Sequence, residues 1–442
     1  MMTQKATIGL DPLVRKAEKA KDLDDMERGV VRVMRRNLDY YLKVPPEVVE
    51  ELQRVTTVAT VVWRDARKKA DYRLFMPHLD KIVGLQRKIA DKLGYEKHPY
   101  NALLDQYEEG FTVRDADAVY ARLIPESKKL LAKVAKAGVF PSKHLLESVK
   151  YDTASMEAVN QGIIEMLKMP TDRFRMDVST HPFTVGIASD DVRITTRYEG
   201  VNFKATMYST IHESGHAIYN LGMGGKLSYT PLYGGASYGI HESQSRFWEN
   251  MVGRSRDFVK LVDPLLRKNL PFIKGHDDES LYRYFNTVRK SFIRVDADEL
   301  TYNFHTALRY EVEKKVIAGE VKVSEIPSLW NDTFDDFLGM RPKNDAEGVL
   351  QDVHWSGGSF GYFATYTLGN IVSAMIRHKM KGGETIRKAL QKGDVLQLKE
   401  WLGTNIHRYG AMYPPKALQE KVFGEAYNPE RLLTYFNQKF LG

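Results

Sequence analysis

Apolar residues recur at intervals of three to four along most of the chain, which is the spacing that puts them on one face of an α-helix. The stretches with this pattern are residues 11–42, 46–92, 113–136, 142–168, 243–266, 278–319, 323–338, 361–381 and 415–440. Breaks at Gly and Pro separate them, and no repeat, low-complexity tract or long linker divides the chain. We therefore predict one mainly α-helical unit over residues 1–442. An N-terminal helical half (about 1–175) is expected to face a second half (176–442) across a deep central groove.

A different pattern precedes residue 210. Residues 192–198 and 202–207 are rich in β-branched and aromatic side chains, and a Gly-containing turn joins them. This pattern predicts two strands of a small antiparallel β-sheet. Ser209 and Thr210 then offer side chains that can cap a helix, and an apolar stripe follows as far as Gly222. We predict a helix here, directly beside the sheet.

The candidate chemistry lies in this helix, in the sequence His212-Glu213-Ser214-Gly215-His216. Two residues four apart lie on the same face of a helix, so both imidazoles can bind one metal ion. Glu213, at the neighbouring edge of that face, can reach a water bound to the ion. A chance match on a surface helix, or a pair of core histidines, is the alternative interpretation.

A zinc site that performs chemistry keeps three protein ligands and one open position, so a third ligand is needed. The extended pattern HExxHxxGxxH is excluded because Gly222 occupies the place of its third His. Another solution is a Glu on a following helix, and Glu242 lies 26 residues after His216 (242 − 216). Glu249, seven residues further on (249 − 242), can share that helix face. The alternative for Glu242 is a solvated helix carboxylate.

Composition narrows the class of protein. The 442 residues include 43% hydrophobic positions, enough for a large core, and no cysteine, which excludes disulfides and thiolate ligands. No apolar leader or run of about 18 apolar residues occurs, so we expect a cytoplasmic protein without a membrane segment. The net charge of +8 comes from Lys and Arg interleaved with Asp and Glu, the pattern of solvated helix faces. We therefore expect no nucleic-acid partner.

Six short motifs occur in order along the chain. They are HPF at 181–183, DxRxT at 191–195, HExxH at 212–216, HESQ at 241–244, IRxxAD at 293–298 and GxxQDxHW at 348–355. Together they resemble the signature of the carboxypeptidase Taq family, the thermostable HExxH metallocarboxypeptidases. The resemblance implies a large helical zincin-type fold, peptide substrates with a free C-terminal carboxylate, and a homodimer. The chain is shorter than typical members, and we place the shortfall before Trp63.

The resemblance also favours Glu242 as the third metal ligand beside His212 and His216, and this donor set suits Zn²⁺ or Co²⁺. Glu213 is then the expected general base, which takes the proton of the metal-activated water and passes it to the leaving amine.

The tetrahedral intermediate of such a reaction carries a negative oxygen that needs hydrogen-bond donors placed in advance. We predict His354 as the first such donor, with Tyr362 and Tyr366 as further ones. A buried His bonded to its neighbours, and tyrosines in core packing, are the alternatives.

An enzyme that trims C-terminal residues must bind a free carboxylate, and Arg does so through paired hydrogen bonds. The resemblance implies that two arginines, Arg294 and Arg193, lie along the groove. Arg294 is expected on a helix with Asp298 four residues on, so an ion pair within that helix is its alternative role. Asp191, on the same strand face as Arg193, and His181 are further candidates for substrate binding.

Two other functions compete with the carboxypeptidase. An oligoendopeptidase or dipeptidyl carboxypeptidase on the same helical scaffold would use the same metal ligands, although an endopeptidase has no need of a carboxylate anchor. A zinc-stabilised binding protein would tolerate loss of Glu213, whereas that carboxylate is present in the right place.

Overall fold

The computed structural model of the protein describes residues 7–442. Within this part of the chain, α-helices dominate and three short β-strands form one small sheet. The helices are α1 Asp11–Ala17, α2 Asp25–Lys43, α3 Pro46–Lys69, α4 Tyr72–Leu93, α5 Tyr100–Leu104, α6 Val113–Ala137, α7 Thr153–Met166, α8 Phe203–Gly222, α9 Tyr238–Arg246, α10 Arg256–Asn269, α11 Asp278–Phe285, α12 Tyr302–Ala318, α13 Ile326–Leu338, α14 Phe363–Lys379, α15 Glu384–Gln391, α16 Leu396–Asn405, α17 Pro415–Phe423 and α18 Pro429–Phe440. The strands are β1 Phe174–Val178, β2 Thr184–Ala188 and β3 Asp191–Thr196. The predicted mainly helical fold is confirmed.

Several of the periodic stretches contain more than one helix. The stretch 46–92 is split at Ala70, whose left-handed backbone (φ 52°, ψ 39°) ends α3. Asp71 then starts α4 by accepting a hydrogen bond from the Arg73 amide. A side-chain cap of this kind satisfies a backbone donor that a helix start leaves without a partner, so a new helix can begin at once. The helical pattern over this stretch is therefore confirmed, and it belongs to two helices.

The chain divides into two compact units, each assembled from separate stretches. Three stretches of chain form the first unit. The first of them ends at Lys128, and the other two are Lys290–Ala297 and Thr301–Thr367. Helices α3 and α4 pack against each other in this unit. Trp63 joins its first and last stretches by donating its indole N–H to the Leu350 carbonyl at 3.0 Å.

The second unit comprises Lys129–Arg289, Asp298–Leu300 and Leu368–Gly442. Helix α8 lies at its centre, with α7, α9 and the sheet packed against it. The predicted division at 1–175 and 176–442 concerns the organisation of the whole chain and stays a prediction. No helix in residues 7–442 has both the length and the apolar character needed to cross a membrane.

The sheet has the order β1-β3-β2, with β1 parallel and β2 antiparallel to the central strand β3. The predicted strand near residues 192–198 is confirmed, but the predicted partner, 202–207, is wrong. That stretch forms the first turns of α8, where Phe203 and Met207 are fully buried. Burial on one face of a helix overrides the strand preference of these side chains. The sheet beside the HExxH helix is therefore mixed, not purely antiparallel.

Candidate metal centre

Helix α8 carries the two histidines of the HExxH sequence on one face. The helix begins at Phe203, after Asn202, which has a left-handed backbone (φ 54°, ψ 60°), and ends at Gly222. The predicted start near Ser209 and Thr210 is wrong because both residues lie inside the helix. The predicted end is confirmed.

Helix α9 brings a carboxylate to the same place. Ser237 caps this helix by accepting a hydrogen bond from the Ile240 amide at 3.0 Å, and Glu242 follows one turn later. A Cβ atom on Gly215 would lie only 2.7 Å from the Ser245 Cα atom. The glycine in the HExxH sequence therefore lets α8 and α9 approach backbone to backbone.

The three predicted metal ligands converge. Glu242 Oε2 lies 3.8 Å from His212 Nε2 and 3.5 Å from His216 Nε2, and the three donor atoms all lie within 4.8 Å of one another. Donors about 2.0–2.2 Å from one tetrahedral ion stand roughly 3.3–3.5 Å apart, so the set fits a zinc-sized ion with little movement. Elsewhere in residues 7–442 there is no comparable group of three or more His, Cys, Asp or Glu donors.

Neighbouring residues hold the Glu242 side chain in place. Arg246, one turn on, donates its Nε–H to Oε1 at 2.7 Å, which leaves Oε2 on the side of the histidines. Gly369 packs directly against the side chain, since a Cβ atom there would lie 2.4 Å from Glu242 Cγ. Glu242 is thus a buried and oriented carboxylate, and the alternative of a solvated one is wrong.

Glu249 orients the first histidine. Its Oε2 atom accepts the Nδ1–H of His212 at 2.9 Å, so Nε2 is the atom that carries the free lone pair. Two arginines hold Glu249 in turn, Arg246 at 3.2 Å and Arg254 at 2.9 Å. Glu249 lies in a π-helical turn, Phe247–Val252, that continues α9. The wider turn changes the direction of side chains relative to an α-helix, a device often found at functional sites.

The second histidine has a different partner. His216 Nδ1 lies 2.6 Å from His241 Nδ1, and the other ring nitrogen of His241 lies 3.1 Å from Asn220 Oδ1. Asn220 is one turn beyond His216 on α8. Each of the two candidate ligand histidines therefore has a hydrogen-bond partner on its Nδ1 side and presents Nε2 toward Glu242.

Glu213, the predicted general base, is buried beside the sheet. Its Oε2 atom accepts the hydroxyl hydrogen of Thr184, the first residue of β2, at 2.6 Å. The sheet thus has a direct role in the site, because the edge strand β2 orients the carboxylate from outside the helix.

Burial and charge shift the pKa values at this centre. Burial raises the pKa of Glu213, which brings a carboxylate closer to the range useful for a general base. Burial alone would lower the pKa of His212, but the nearby carboxylates, chiefly Glu242 and Glu249, outweigh it and raise that pKa. Burial holds the pKa of His216 well below its usual value. His216 is therefore neutral at ordinary pH, the form that binds a metal.

The predicted substrate residues of the second unit lie around the sheet. Arg193 and Asp191 project from the same face of β3, as expected, and form a two-point ion pair at 2.9 and 2.8 Å. The Arg193 side chain is 43% exposed, so solvent screens this pair. His181 is exposed in the loop before β2, where its carbonyl accepts the hydroxyl hydrogen of Ser179 at 2.9 Å.

The first unit contains a buried group of charged residues around Arg294. Asp352 Oδ1 accepts two hydrogen bonds from Arg294 at 3.0 and 2.8 Å, and Asp352 Oδ2 accepts one from Arg309 at 2.6 Å. Arg294 also donates to the Tyr302 hydroxyl at 2.7 Å. Burial alone would raise the pKa of Asp352, but the two guanidiniums hold it far below its usual range. Two cations share one carboxylate, so this group carries an excess positive charge.

His354, Tyr362 and Tyr366 lie together in the same unit. His354 Nε2 is 3.2 Å from the Tyr366 hydroxyl, and the rings of His354 and Tyr362 are 5.4 Å apart. Among the described residues, no hydrogen-bond partner is found for His354 Nδ1, although the atom is buried. Burial lowers the pKa of His354 to about 4, so the ring is neutral at ordinary pH and can donate one N–H.

The expected setting of Arg294 is wrong. The predicted helix over 278–319 is interrupted between α11 and α12, and Arg294 begins a short 3-10 turn, Arg294–Asp296. Asp298 is not its partner, because this carboxylate accepts the backbone N–H groups of Arg289 and Leu300 at 2.8 and 2.9 Å. Capping these loop amides ends the helical pattern that the apolar spacing predicts.

Comparisons with known proteins identify the family of this chain. A family model described as carboxypeptidase Taq (M32) metallopeptidase matches residues 2–440. Thermostable carboxypeptidase 1 of Pyrococcus furiosus is 44% identical over 431 residues, which are 97% of this chain and 86% of that protein. Thermostable carboxypeptidase 1 of Thermus thermophilus is 34% identical, over 93% of this chain and 82% of that protein.

Solved structures show the same likeness. The Apo-Mg structure of Pyrococcus furiosus carboxypeptidase has a TM-score of 0.97 at 43% identity and covers 99% of this chain and 89% of that one. Trypanosoma cruzi metallocarboxypeptidase 1 has a TM-score of 0.91 at 34% identity, over 98% of this chain and 88% of that one.

A helical fold in which an HExxH helix and a later Glu bring together three candidate metal ligands is typical of metallopeptidases of the zincin type. The chain belongs to the carboxypeptidase Taq (M32) family of metallopeptidases. It is accordingly a metallocarboxypeptidase that requires a divalent metal ion. The resemblance carried by the six motifs is confirmed.

Three residues that support the candidate metal centre were not predicted from the sequence. Arg246 lies four residues after Glu242, so the helical spacing could have indicated it. His241 was visible in the HESQ motif, but nothing in the sequence connects it with His216. Thr184 comes from a different stretch of chain, and no sequence signal points to its contact with Glu213.

Proposed function

We propose that this enzyme releases single amino acids from the C-terminus of peptides, with zinc held by His212, His216 and Glu242. The observation that carries the proposal is the convergence of these three donors within 4.8 Å, with both Nε2 atoms turned toward Glu242. Two His and one Glu around an open position are the donor set of a catalytic zinc site. Cobalt suits the same donors and is the second candidate ion.

The ion, when bound, supplies Lewis acidity that polarises the scissile carbonyl and lowers the pKa of water in the open position. Glu213 follows a ligand directly in the chain, and Thr184 holds its Oε2 atom. We therefore assign Oε1 to proton transfer. This oxygen takes a proton from the attacking water as general base and returns it to the leaving amine as general acid.

We assign the anchor for the substrate carboxylate to Arg294, with Arg193 as the second candidate. Arg294 and Arg309 share one carboxylate, so a substrate carboxylate would neutralise the excess charge of the group. Asp191 already neutralises the charge of Arg193, and solvent screens this ion pair. A substrate carboxylate would therefore gain less binding energy from Arg193.

We assign hydrogen bonding to the oxyanion first to His354, a neutral buried ring with an N–H to donate, and then to Tyr362 and Tyr366. Asp191 and His181 are assigned to substrate binding beside the sheet. His181 is the weaker assignment because its side chain is exposed in a loop.

Two broader properties belong to the same proposal. A cytoplasmic location is proposed, since a chain without cysteine forms no disulfide and has no need of an oxidising compartment. A homodimer is proposed from family membership, and light scattering on the eluted protein measures it directly.

The test compares one peptide with a free C-terminus and its C-terminally amidated twin. The protein is stripped of metal, reloaded with zinc or with cobalt, and incubated with each peptide, and the products are followed by mass spectrometry. We expect stepwise loss of single residues from the free acid only, because the carboxylate anchor has nothing to bind in the amide.

Two variants accompany this experiment. Glu213→Gln should remove cleavage while the protein stays folded and binds metal, whereas Glu320→Gln, exposed two residues after the end of α12, should behave as the wild type. Loss of residues in pairs would indicate a dipeptidyl carboxypeptidase. Equal internal cleavage of both peptides would indicate an oligoendopeptidase. No metal-dependent cleavage of either peptide would contradict a peptidase role.

A further inference from the structure

The two candidate ligand histidines are supported in different ways. His212 donates to a carboxylate, Glu249, whereas His216 meets a second imidazole, His241, at 2.6 Å. His241 directly precedes Glu242 on α9, and its ring lies 4.7 Å from the His216 ring at 39°. Its other nitrogen, Nε2, lies 3.1 Å from the side-chain oxygen of Asn220.

This arrangement determines where the hydrogens lie. An amide oxygen can only accept, so Nε2 of His241 must carry a hydrogen and donate it to Asn220. A neutral imidazole has one N–H, so Nδ1 of His241 has a lone pair and accepts. The hydrogen in the short contact therefore belongs to Nδ1 of His216. The lone pair of His216 is then on Nε2, the atom that faces Glu242 at 3.5 Å.

We propose that His241 is a positioning residue that fixes the tautomer and the ring orientation of His216 for metal binding. The hydrogen bonds form a relay from His216 through His241 to Asn220, and α8 supplies both ends of it. The inference rests on the proposed function, because it takes His216 as a metal ligand.

The opposite hydrogen placement shows why the relay matters. If His241 carried its hydrogen on Nδ1, it would donate to His216 Nδ1, and the His216 hydrogen would lie on Nε2 instead. An N–H would then point into the metal position, and the ring could not bind there without first losing that hydrogen. His216 does not adopt this tautomer when Nδ1 of His241 is a hydrogen-bond acceptor. Asn220 Oδ1 keeps Nδ1 an acceptor, because it holds the single hydrogen of the His241 ring on Nε2.

The test measures zinc affinity without reference to activity. Stripped protein is titrated with zinc in competition with a chromophoric chelator, and circular dichroism confirms that each variant is folded without metal. His241→Phe keeps a ring but removes the acceptor, and we expect it to bind zinc roughly 10- to 100-fold more weakly. His241→Asn places an amide oxygen near the position of Nδ1 and should recover most of that loss.

The matched control is His407→Phe. His407 is another buried His of the same unit, hydrogen-bonded to Gln244 at 2.9 Å, and it contacts none of the three ligands through a hydrogen bond. We expect its zinc affinity to change by less than about threefold, well inside the effect expected at position 241. Wild-type zinc affinity in His241→Phe, or equal weakening in both Phe variants, overturns the proposal.

Two further measurements separate this inference from the proposed function. His216→Gln should abolish tight zinc binding, and if it binds zinc like the wild type, the proposed metal centre itself is wrong. If only His216→Gln loses zinc while His241→Phe does not, the metal centre stands and the role of His241 is refuted.

The tautomers of His216 and His241 can also be measured in the wild-type protein, so this test does not depend on whether a variant folds. Long-range ¹H–¹⁵N spectra of protein labelled at its histidines report which ring nitrogen carries hydrogen. We expect Nε2–H for His241 and Nδ1–H for His216 in the zinc-loaded protein. Nδ1–H at His241 refutes the proposal.

Discussion

A buried carboxylate in the first unit gives a prediction that can be worked through in numbers. Glu313 on α12 is fully buried and accepts three hydrogen bonds. They come from the Tyr100 hydroxyl at 2.5 Å, the Trp355 indole at 2.6 Å and the Gly361 amide at 2.8 Å. Burial raises the pKa of Glu313 from 4.5 to about 7, although these donors oppose the shift.

The sign of the effect follows from proton linkage. Between pH 4.5 and about 7 the folded protein keeps a proton on Glu313 that the unfolded chain has already released. The stabilisation is therefore fully present below pH 4.5 and is lost as the pH rises through about 7. A rise of the pKa from 4.5 to about 7 corresponds to roughly 3 kcal/mol in the free energy of unfolding, most of it lost between about pH 5 and pH 8.

Urea unfolding of the wild type and of Glu313→Gln, at several pH values from 5 to 8, measures this contribution. The Gln side chain cannot titrate, so the wild type should lose about 2–3 kcal/mol more than the variant over that range. Glu320→Gln, exposed two residues after the end of the same helix, should follow the wild type at every pH. A constant difference between the wild type and Glu313→Gln would refute the reasoning, since it would mean that Glu313 ionises alike in both states.

Three further predictions concern the metal centre. Glu249→Gln should weaken zinc binding roughly 10- to 100-fold in a chelator competition, because His212 loses an anionic partner; unchanged affinity would contradict that role. Gly369→Ala should lower the free energy of unfolding by about 1–3 kcal/mol, because a Cβ atom 2.4 Å from Glu242 Cγ forces this side chain to move. A denaturation midpoint equal to that of the wild type would count against this packing. Chelation should abolish peptide hydrolysis and zinc should restore it, and activity that survives complete removal of metal, checked by elemental analysis, would exclude a metallopeptidase mechanism.

The sequence predicts best where one local pattern decides the outcome. The HExxH spacing needs only one turn of helix to place His212 and His216 on one face, and the helix end at Gly222 follows from local backbone freedom. Glu242 could be proposed as a ligand because it follows His216 by 26 residues and lies in the HESQ motif, which resembles the family signature. These inferences depend on neighbours in the chain and not on the rest of the fold.

The parts that were predicted wrongly depend on distant contacts. Residues 202–207 look like a strand until the burial of Phe203 and Met207 in the second unit is known. From the sequence, Arg294 is expected to pair with Asp298 within a helix. In the structure its partner is Asp352, 58 residues away. A single sequence does not show which distant residues come into contact, so these predictions could rest only on local structural preference.

The arrangement of the units along the chain has a consequence for synthesis. The first unit lacks Lys290–Ala297 and Thr301–Thr367 until these residues leave the ribosome, and the second unit lacks Leu368–Gly442 until those residues have followed. A nascent chain that has just exposed Glu242 still lacks Gly369, which packs against that carboxylate in the finished protein. Residues 129–289, which belong to the second unit, leave the ribosome before the first unit is complete, in contrast to the usual order in which an N-terminal domain folds first. The surroundings of the candidate metal centre are thus incomplete until Gly369 has emerged, and we expect the nascent chain to need protection from aggregation for longer than one built from consecutive domains.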